Sequence, residues 1–543
     1  MEQLSKWIYK YRYIFYFLAL VPMFITRDFT RNNELRYLSI ADEAIRNGNI
    51  FTFTNHGLFY ADKPPLYLWI VMTGKLLFGT HSMFFLALFS YIPALVVIWT
   101  MNRWTKAFAP KGDRVMGELM LLTSVFFIGS AVVLRMDMLM CMFITLSLYT
   151  FYRMYSGQHG GNHSGRGEKW DKWMFPIYIF LAVFSKGPVG IMVPLMTTIV
   201  FLVVKRDWRS IWRFWGVRTL SVLIALCSIW FLGAFLEGGS EYLNNLLFNQ
   251  TINRAVDSFH HKEPVWYYLI AIWYSLAPWV FLIVGLIATG FAKRLVKTDM
   301  ERIFLIASLG TFVMMSLVSS KIQVYLLPSF PFFVWIAVLW LGKLSRSVIA
   351  RVGMLIPSII LLLALPGAIV AGKMELFPVF ESVWIVAASS VLSISGIIAI
   401  WQLTGKRWSG EYTLQKSSNS LQKSIVTVGV GMLIAIFTIS FYIPQYNPEL
   451  GMSAVSEVAK EMATKTGTQK YYVYDISRAE NADVFLGSVP ESISLEKLKV
   501  IIEGDERGVL VFMKSSLEEV PELATLLEGR ELRASGYFFC VVL

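Results

Sequence analysis

The run VWIVAASSVLSISGIIAIWQ, residues 383–402, decides the fold class of this chain. Its twenty residues carry no charge, and about twenty apolar residues are what a helix needs to cross the hydrocarbon core of a bilayer. Backbone polar groups inside a bilayer must bond to one another, so an apolar run of this length indicates a helix. Similar runs at 355–371 and 424–442 indicate that the chain crosses a membrane repeatedly.

The composition of the whole chain also favours a membrane protein. Of its 543 residues, 56% are hydrophobic and only 16% are charged, whereas a soluble domain carries about 25% charged residues. The sequence predicts a polytopic α-helical membrane domain over residues 1–443 with about thirteen transmembrane helices. Their expected bounds are roughly 13–26, 83–101, 115–133, 138–154, 174–186, 188–204, 219–236, 265–291, 303–319, 323–342, 352–371, 383–402 and 424–442.

The distribution of basic residues predicts how the chain is oriented. Loops on the side of the N-terminus hold 27 Lys and Arg residues, and loops on the opposite side hold 12. Cytoplasmic loops carry the excess of Lys and Arg, so the N-terminus is expected in the cytoplasm and, with an odd number of spans, the C-terminus outside. The net charge of +12 therefore reflects topology, and we expect no nucleic-acid partner.

From residue 444 onward the composition changes. This tail has a net charge of −6 while the preceding residues carry +18. Short runs rich in β-forming residues alternate with polar stretches typical of helices, such as 453–466 and 516–528. The β-rich runs are 471–476, 498–502, 509–513 and 537–542. Residues 444–543 are therefore predicted to form a small soluble α/β domain on the outer, periplasmic side.

Two predicted outer loops, 27–82 and 237–264, are long enough to carry a functional site. Glu34, in the first, could act as a general base or orient a sugar hydroxyl, or it could simply pair with a nearby arginine. Asp62 and Lys63 precede two prolines, which fix a rigid turn at the membrane surface. Lys63 could bind a lipid phosphate there, or be an ordinary snorkelling lysine. Residues 66–79 are apolar but too short to cross, which suggests an interfacial helix.

Further polar residues fall on the same predicted side. Arg135 and Asp137 lie at the outer ends of two spans, where they form either a structural ion pair or part of a site. The second loop contains adjacent histidines at 260 and 261, which together with an acid elsewhere could form a metal site. Lys321 and Tyr325 lie at an outer helix start.

Several of these stretches together resemble one known family, the polytopic glycosyltransferases that use polyprenyl-phosphate sugars. This is the superfamily of aminoarabinose transferases and protein O-mannosyltransferases, and the resemblance is closest to the lipid A aminoarabinose transferase type. It covers residues 1–340 well and the remainder only in outline. The motifs are NELRY (33–37), GLxYxDKPPLYxW (57–69), DML (137–139), FSKGPVG (184–190), HKEPVWYY (261–268) and SKIQVYLLP (320–328).

The resemblance implies a GT-C fold and an enzyme of the bacterial inner membrane. Its donor would be an undecaprenyl-phosphate sugar and its acceptor lipid A or another envelope lipid or glycan. We expect a monomer. The expected catalytic residues are Glu34, Asp137 and Asn33. The expected ligands of the donor phosphate are Lys63, Arg36, Arg254 and Lys321. The residues expected to line the lipid or acceptor cavity are Tyr325, Tyr37 and Tyr60. Asp62 and His261 match a metal-binding pair in the family, so a divalent metal such as zinc is the only cofactor implied.

One position departs from the family pattern. The family usually has Asp-Glu where this chain has Asn33-Glu34. If the first acid is the base, Glu34 must replace it, or the acceptor needs no base. A phosphate acceptor is already anionic at neutral pH, whereas a hydroxyl acceptor must lose a proton during attack.

Three alternative functions remain open from the sequence. A protein O-glycosyltransferase would share the donor and differ in its acceptor. A transporter of lipid-linked sugars would place ionisable residues in the middle of its spans, whereas most charges here lie at span ends and in loops. A non-catalytic scaffold stays possible because of Asn33.

Overall fold

The structure is a computed structural model that describes residues 2–158, 167–247, 263–374, 378–404, 414–504 and 506–543. The chain divides into two compact units. The larger unit comprises residues 1–21, 61–67 and 87–439, and the smaller comprises 22–60, 68–86 and 440–543. The C-terminal tail thus folds in one unit with most of the predicted first outer loop. The domain boundary after residue 443 stays a prediction.

Helices account for nearly all regular structure before residue 440. They are α1 Glu2–Thr26, α2 Glu34–Asn47, α3 Leu66–Phe78, α4 Met83–Trp104, α5 Lys111–Leu122, α6 Val125–Val132, α7 Asp137–Gln158, α8 Gly167–Lys186, α9 Val189–Val204, α10 Trp208–Trp215, α11 Val217–Asn244, α12 Tyr267–Ser275, α13 Val280–Ala292, α14 Asp299–Leu305, α15 Thr311–Leu317, α16 Phe330–Leu344, α17 Val348–Leu362, α18 Ala364–Lys373, α19 Val383–Thr404 and α20 Leu414–Ile439. A two-residue hairpin pairs β1 Thr54–Asn55 with β2 Leu58–Phe59.

Seven helical segments within the described ranges are long and apolar enough to cross a membrane. Two bent pairs raise the number to nine if each pair is one span. Helices α5 and α6 meet at 66°, and α12 and α13 meet at 119° around Pro278. The polytopic helical fold is confirmed, and the number of thirteen spans stays a prediction.

Helix α3 coincides with the stretch that was expected to lie along the membrane surface. Its 13 residues reach about 20 Å at 1.5 Å per residue. That length falls short of the roughly 30 Å hydrocarbon core. The interfacial position itself stays a prediction.

The tail forms the predicted small α/β structure. Its helices and strands are α21 Ile443–Leu450, α22 Ser453–Thr466, β3 Tyr471–Tyr474, α23 Asp483–Leu486, β4 Glu491–Ser492, α24 Leu495–Glu503, β5 Val509–Met513, α25 Ser515–Glu519, α26 Pro521–Leu526, β6 Arg533–Ser535 and β7 Phe538–Val542. The sheet order is β4-β3-β5-β7-β6. Strands β4, β3 and β5 are parallel, and β7 runs antiparallel to both β5 and β6.

One core cluster lies under this sheet. Tyr472, Leu510 and Val541 stand opposite one another on adjacent strands and are buried together with Leu498 and Ile501 of α24. Alternating residues of a strand face the same side, so this register directs one face of each strand into the core.

The β-rich run predicted at 498–502 was wrong, because these residues belong to α24. Ser494 caps the helix by accepting a hydrogen bond from the amide of Lys497 at 3.3 Å. Leu498 and Ile501 are buried, and their spacing of three residues places both on one face of a helix. The polar stretch 516–528 is likewise divided into α25 and α26 at Pro521.

The smaller unit is held together by contacts between residues more than 400 positions apart. Asp28 accepts hydrogen bonds from the amide and hydroxyl of Ser453 at 3.2 and 2.5 Å. The Ser39 hydroxyl donates to Asp483 at 3.0 Å, and the Arg478 guanidinium donates to the carbonyl of Asn32. These bonds join the segment that contains the NELRY motif to the C-terminal tail.

Candidate active site

The Asp137 carboxylate, in the larger unit, holds two basic side chains. Asp137 begins α7 and is almost fully buried. One of its oxygens contacts the Lys186 ammonium, and the other accepts from Arg135 Nε at 2.9 Å. The Lys186 side chain is only 5% exposed, while that of Arg135 is 30% exposed. The sequence leaves open whether Arg135 and Asp137 form a structural pair, and the structure adds Lys186 as a third member.

The turn that follows Lys186 fixes where its side chain can reach. Lys186 is the last residue of α8. Gly187 follows with a φ of 102°, a conformation that residues with a Cβ rarely adopt. Pro188 then leads into α9 and has no backbone N–H to donate a hydrogen bond. The KGP sequence therefore ends α8 sharply and leaves Lys186 at the helix terminus beside Asp137.

Lys63 and Tyr325 complete a cluster around Lys186. Lys63 and Arg135 both lie close enough to Lys186 to repel its charge, and the Lys63 ammonium donates to the carbonyl of Asp62 at 3.2 Å. The Lys186 ammonium lies 4.7 Å from the centre of the Tyr325 ring, within reach of a cation–π interaction. We call Lys63, Arg135, Asp137, Lys186 and Tyr325 the cation cluster. It contains three basic side chains and one acidic side chain.

Lys321 lies in the same unit but has a different local environment. Its side chain is buried, and its ammonium donates to the carbonyl of Glu263 at 2.8 Å. The hydroxyl of Tyr268 donates to the carbonyl of Ile322 at 3.1 Å. Both bonds tie the 320–328 motif to the 261–268 motif. The predicted contact of Lys321 with the donor phosphate stays a prediction.

In the smaller unit, Glu34 is fully buried. Its two oxygens accept a bidentate pair of hydrogen bonds from Arg27, each of 2.8 Å, and the amide of Thr30 donates to it at 2.7 Å. Asn33 precedes α2 without capping it through its side chain. One of the two interpretations of the sequence was that Glu34 pairs with a nearby arginine. The structure shows such a pair, but inside the protein instead of on its surface.

The predicted phosphate ligand Arg36 lies between two aromatic rings of the same unit. Its guanidinium carbon is 5.2 Å from the centre of the Tyr60 ring and 5.9 Å from that of Tyr37. Its Nε is buried and has no hydrogen-bond partner within the described ranges. All three residues were predicted to belong to the site, and the structure brings them together.

The predicted metal pair is described only in part. Asp62 is half-buried, while His261 and the predicted phosphate ligand Arg254 lie outside the described residues. Among the residues that the structure describes, no group of three or more His, Cys, Asp or Glu side chains could hold a metal ion. The metal site therefore stays a prediction on Asp62 and His261.

Lys186 was not among the residues singled out from the sequence, although its motif was. Its contact with Asp137 joins positions 49 residues apart, and it depends on the packing of α7 against α8. The available signal was a lysine immediately before Gly-Pro at the end of a predicted span. A charge at such a position must find a partner or reach water.

Comparison with known proteins gives sequence relatives for about three fifths of the chain. No family profile matches it. It is 26% identical over 353 residues to the undecaprenyl phosphate-α-4-amino-4-deoxy-L-arabinose arabinosyl transferase of Edwardsiella ictaluri, covering 64% of this chain and 60% of that protein. It is 25% identical over 359 residues to an uncharacterised protein of Aquifex aeolicus, covering 64% of this chain and 68% of that one. The match thus spans less than two thirds of the first relative.

A solved structure matches nearly the whole chain. ArnT from Cupriavidus metallidurans, bound to undecaprenyl phosphate, superposes with a TM-score of 0.75 over 99% of this chain and 98% of that one. The sequences are 18% identical, so this match shows the fold. The apo form of ArnT gives a TM-score of 0.74. The resemblance that the motifs predict is therefore confirmed: the chain is similar in sequence to the aminoarabinose transferases and has the GT-C fold of ArnT.

Proposed function

We propose that this protein is a membrane glycosyltransferase that moves a sugar from a polyprenyl phosphate to an acceptor outside the cytoplasm. The observation that carries the proposal is the cation cluster. Two basic side chains, Arg135 and Lys186, contact the buried carboxylate of Asp137, and Lys63 interacts electrostatically with Lys186. Basic groups therefore outnumber acidic ones where a phosphate can be bound. The name of the Edwardsiella relative and the undecaprenyl phosphate bound to ArnT support a lipid-phosphate donor.

The chemistry requires this excess of positive charge. An acceptor oxygen attacks the anomeric carbon of the sugar, and the bond between that carbon and the phosphate oxygen breaks. The bonding electron pair leaves with the lipid phosphate, which gains negative charge as the bond breaks. Preorganised cations stabilise such charge most where it develops. Lys63 and Arg135 are partly exposed and would contact the phosphate, while Lys186 is buried and held by Asp137.

Arg36, in the smaller unit, is a further proposed phosphate ligand. Its guanidinium is flanked by Tyr37 and Tyr60, and stacking on aromatic faces leaves the planar edge of an arginine available for phosphate. Its Nε without a partner in the described part of the chain fits a residue that completes its hydrogen bonds with a ligand. Tyr325, in the larger unit, would line the lipid or acceptor cavity, and Tyr37 and Tyr60 stay candidates for that role from the sequence.

Glu34 is the proposed acid–base or acceptor-orienting residue, and its contacts define how it could act. Both oxygens accept hydrogen bonds from Arg27, and this bidentate geometry fixes the orientation of the carboxylate. To accept a proton from an acceptor hydroxyl, Glu34 would use a lone pair that these bonds leave open. With a phosphate acceptor, Glu34 would act as a positioning residue that fixes the start of α2. Asp137 is the second candidate carboxylate.

The proposed setting is the bacterial inner membrane, with a cytoplasmic N-terminus and the tail in the periplasm. The excess of basic residues in the predicted cytoplasmic loops supports this orientation. The acceptor would be lipid A or another envelope lipid or glycan, as the family resemblance of the motifs implies. Protein hydroxyls are the alternative acceptor.

Sugar transfer in proteoliposomes tests the proposal. The full-length protein would be given undecaprenyl-phosphate aminoarabinose and lipid A, and the mass of the lipid A product would be followed. Loss of one stabilising donor costs about 10²–10³ in kcat, so Lys63→Ala should slow transfer by about that factor. Lys205→Ala removes a partly exposed lysine paired with Asp299 and should transfer at the wild-type rate. Full activity of Lys63→Ala would remove its assigned role.

The same assay distinguishes the acceptors. Parallel reactions would offer lipid A, a soluble glycan and a serine-rich peptide with the same donor. We expect a mass increase of one sugar on lipid A alone. Labelling of the peptide alone would support the protein O-glycosyltransferase, and transport of the donor without cleavage would contradict an enzyme.

A further inference from the structure

A long groove lies between α1, α5 and α20 of the larger unit, and no role proposed above involves it. Its volume is about 890 Å³, at the upper end of the roughly 300–1,000 Å³ of small-molecule sites. Most of its lining is apolar. The wall includes Phe15, Leu18, Leu119, Val430, Ile434 and Phe437. Several of these side chains are exposed, so the groove opens sideways from the helices toward the bilayer.

The groove has the depth of one membrane leaflet. Its lining runs from Val426 to Phe437 on α20 and from Tyr9 to Ala19 on α1. At a rise of 1.5 Å per residue, these stretches span about 15 Å along the helix axes. The hydrocarbon core of a bilayer is roughly 30 Å thick, so the groove extends through about half of it.

One end of the groove carries a positive charge. The Lys111 ammonium lies 3.4 Å from the centre of the Tyr9 ring, and the Arg12 guanidinium carbon lies 4.0 Å from the same ring. Arg12 is neutralised by the buried Glu118, with bonds of 2.6 and 2.9 Å. Lys111 is exposed and forms no salt bridge with any side chain that the structure describes.

Two further charged residues of α5 lie near this end. Asp113 accepts a hydrogen bond from Gln422 at 2.8 Å, and Arg114 donates to the side chain of Asn102 at 2.6 Å. The charged residues that line the groove are Arg12, which Glu118 neutralises, and Lys111, so the lining keeps about one unit of positive charge. The bond between Asp113 and Gln422 also shows that α5 and α20 begin at the same end.

We propose that this groove binds one anionic phospholipid. Its phosphate lies at Lys111, and its acyl chains follow α1 and α20 to the apolar end at Phe437. A cation at one end of an apolar, leaflet-deep groove matches the headgroup and the chains of such a lipid, and basic pockets between transmembrane helices bind anionic headgroups. On the predicted topology this end of the groove lies in the cytoplasmic leaflet of the membrane, which contains anionic lipids.

The charge and the length of the groove favour this occupant over two others. A zwitterionic phospholipid has no net charge to complement Lys111. An undecaprenyl phosphate has an isoprenoid chain much longer than one leaflet is deep, so most of its length would lie outside the groove. The phospholipid site is therefore distinct from the donor site proposed at the cation cluster.

Native mass spectrometry of the full-length protein in a mild detergent tests this inference. The probes would be phosphatidylglycerol, phosphatidylethanolamine and undecaprenyl phosphate, each added over a range of concentrations. Lys111→Ala removes the positive charge at the end of the groove. Val430→Trp places a larger side chain in the apolar part of the groove and fills its space. Lys106→Ala is the matched control, since Lys106 is exposed, precedes α5 and does not line the groove.

We expect wild type to retain phosphatidylglycerol in preference to phosphatidylethanolamine. Loss of a charge-assisted contact should weaken this binding about tenfold in Lys111→Ala, with a loss of similar size in Val430→Trp and none in Lys106→Ala. Equal retention of phosphatidylglycerol by wild type and Lys111→Ala would overturn the proposal. So would equal binding of both phospholipids, competition by undecaprenyl phosphate at lower concentration, or a wild-type dimer that Val430→Trp dissociates. Because Lys111→Ala fills no space, it keeps the test decisive if Val430→Trp fails to fold.

Discussion

The buried ion pair between Asp137 and Lys186 should be among the costliest single contacts to break. Asp137→Asn keeps the shape of the side chain and removes its charge, which leaves Lys186 buried at 5% exposure without a counter-ion. Breaking a buried pair by removing one partner costs about 3–5 kcal/mol. Arg135 is 30% exposed and can be hydrated instead, so we expect a loss near 3 kcal/mol in the free energy of unfolding.

A double-mutant cycle separates this coupling from the cost of each substitution. Lys186→Met replaces the ammonium with an apolar side chain of similar length. In Asp137→Asn/Lys186→Met no charge is left unpaired between the two positions, so the double variant should regain most of the stability that Asp137→Asn loses. The control pair is Lys205 and Asp299, whose side chains are 28% and 30% exposed. An exposed pair of this kind should couple by about 1 kcal/mol or less.

The assay is equilibrium unfolding in mixed micelles, with increasing denaturing detergent and tryptophan fluorescence as the readout. Asp137→Asn should bind a polyprenyl phosphate no more weakly than wild type, because the cation cluster gains net positive charge. Coupling between Asp137 and Lys186 as weak as that of the control pair would refute the buried pair. Loss of phosphate binding without loss of stability would show that Asp137 contacts the ligand directly.

Three other substitutions test separate parts of the account. Glu34→Gln leaves Arg27 buried without its anion and should lower stability by about 3 kcal/mol, measured by the same unfolding; unchanged stability would contradict the pair. Tyr325→Leu should weaken polyprenyl-phosphate binding by about 0.5–2 kcal/mol through the lost contact with Lys186, while Tyr325→Phe retains it. Burial alone would raise the pKa of Glu43, but hydrogen bonds from the 54–57 hairpin lower it below 4.5. This stabilisation is present above pH 4.5 and is lost as the pH falls through the lowered pKa. Glu43→Gln should therefore make the free energy of unfolding less dependent on pH in that range.

The sequence predicts the fold class well because the apolar runs and the β-rich runs that indicate it are local features of the chain. Uncharged apolar runs such as 383–402 indicate helices whatever surrounds them, and residue 383 begins α19. The β-rich run at 509–513 became β5 for the same reason. The run at 498–502 has similar composition, but the cap at Ser494 and the burial of every third residue made it part of α24. Composition alone does not distinguish the two outcomes.

The candidate site is less predictable because its contacts depend on packing. Arg135 and Asp137 are two residues apart, so their pairing follows from the sequence. Lys186 reaches Asp137 only because α8 ends beside the start of α7. Burial of Glu34 follows from Arg27 folding back over seven residues, which the charge pattern permits but does not specify.

The most direct test of the central claim is a binding titration of the purified full-length protein with a short-chain polyprenyl phosphate and with the matching polyprenol. If the cation cluster binds the lipid phosphate, the phosphate should bind more tightly than the alcohol. Lys63→Ala should weaken phosphate binding about tenfold and leave binding of the alcohol unchanged. Equal affinity for the two lipids, or wild-type phosphate affinity in Lys63→Ala, would contradict the account.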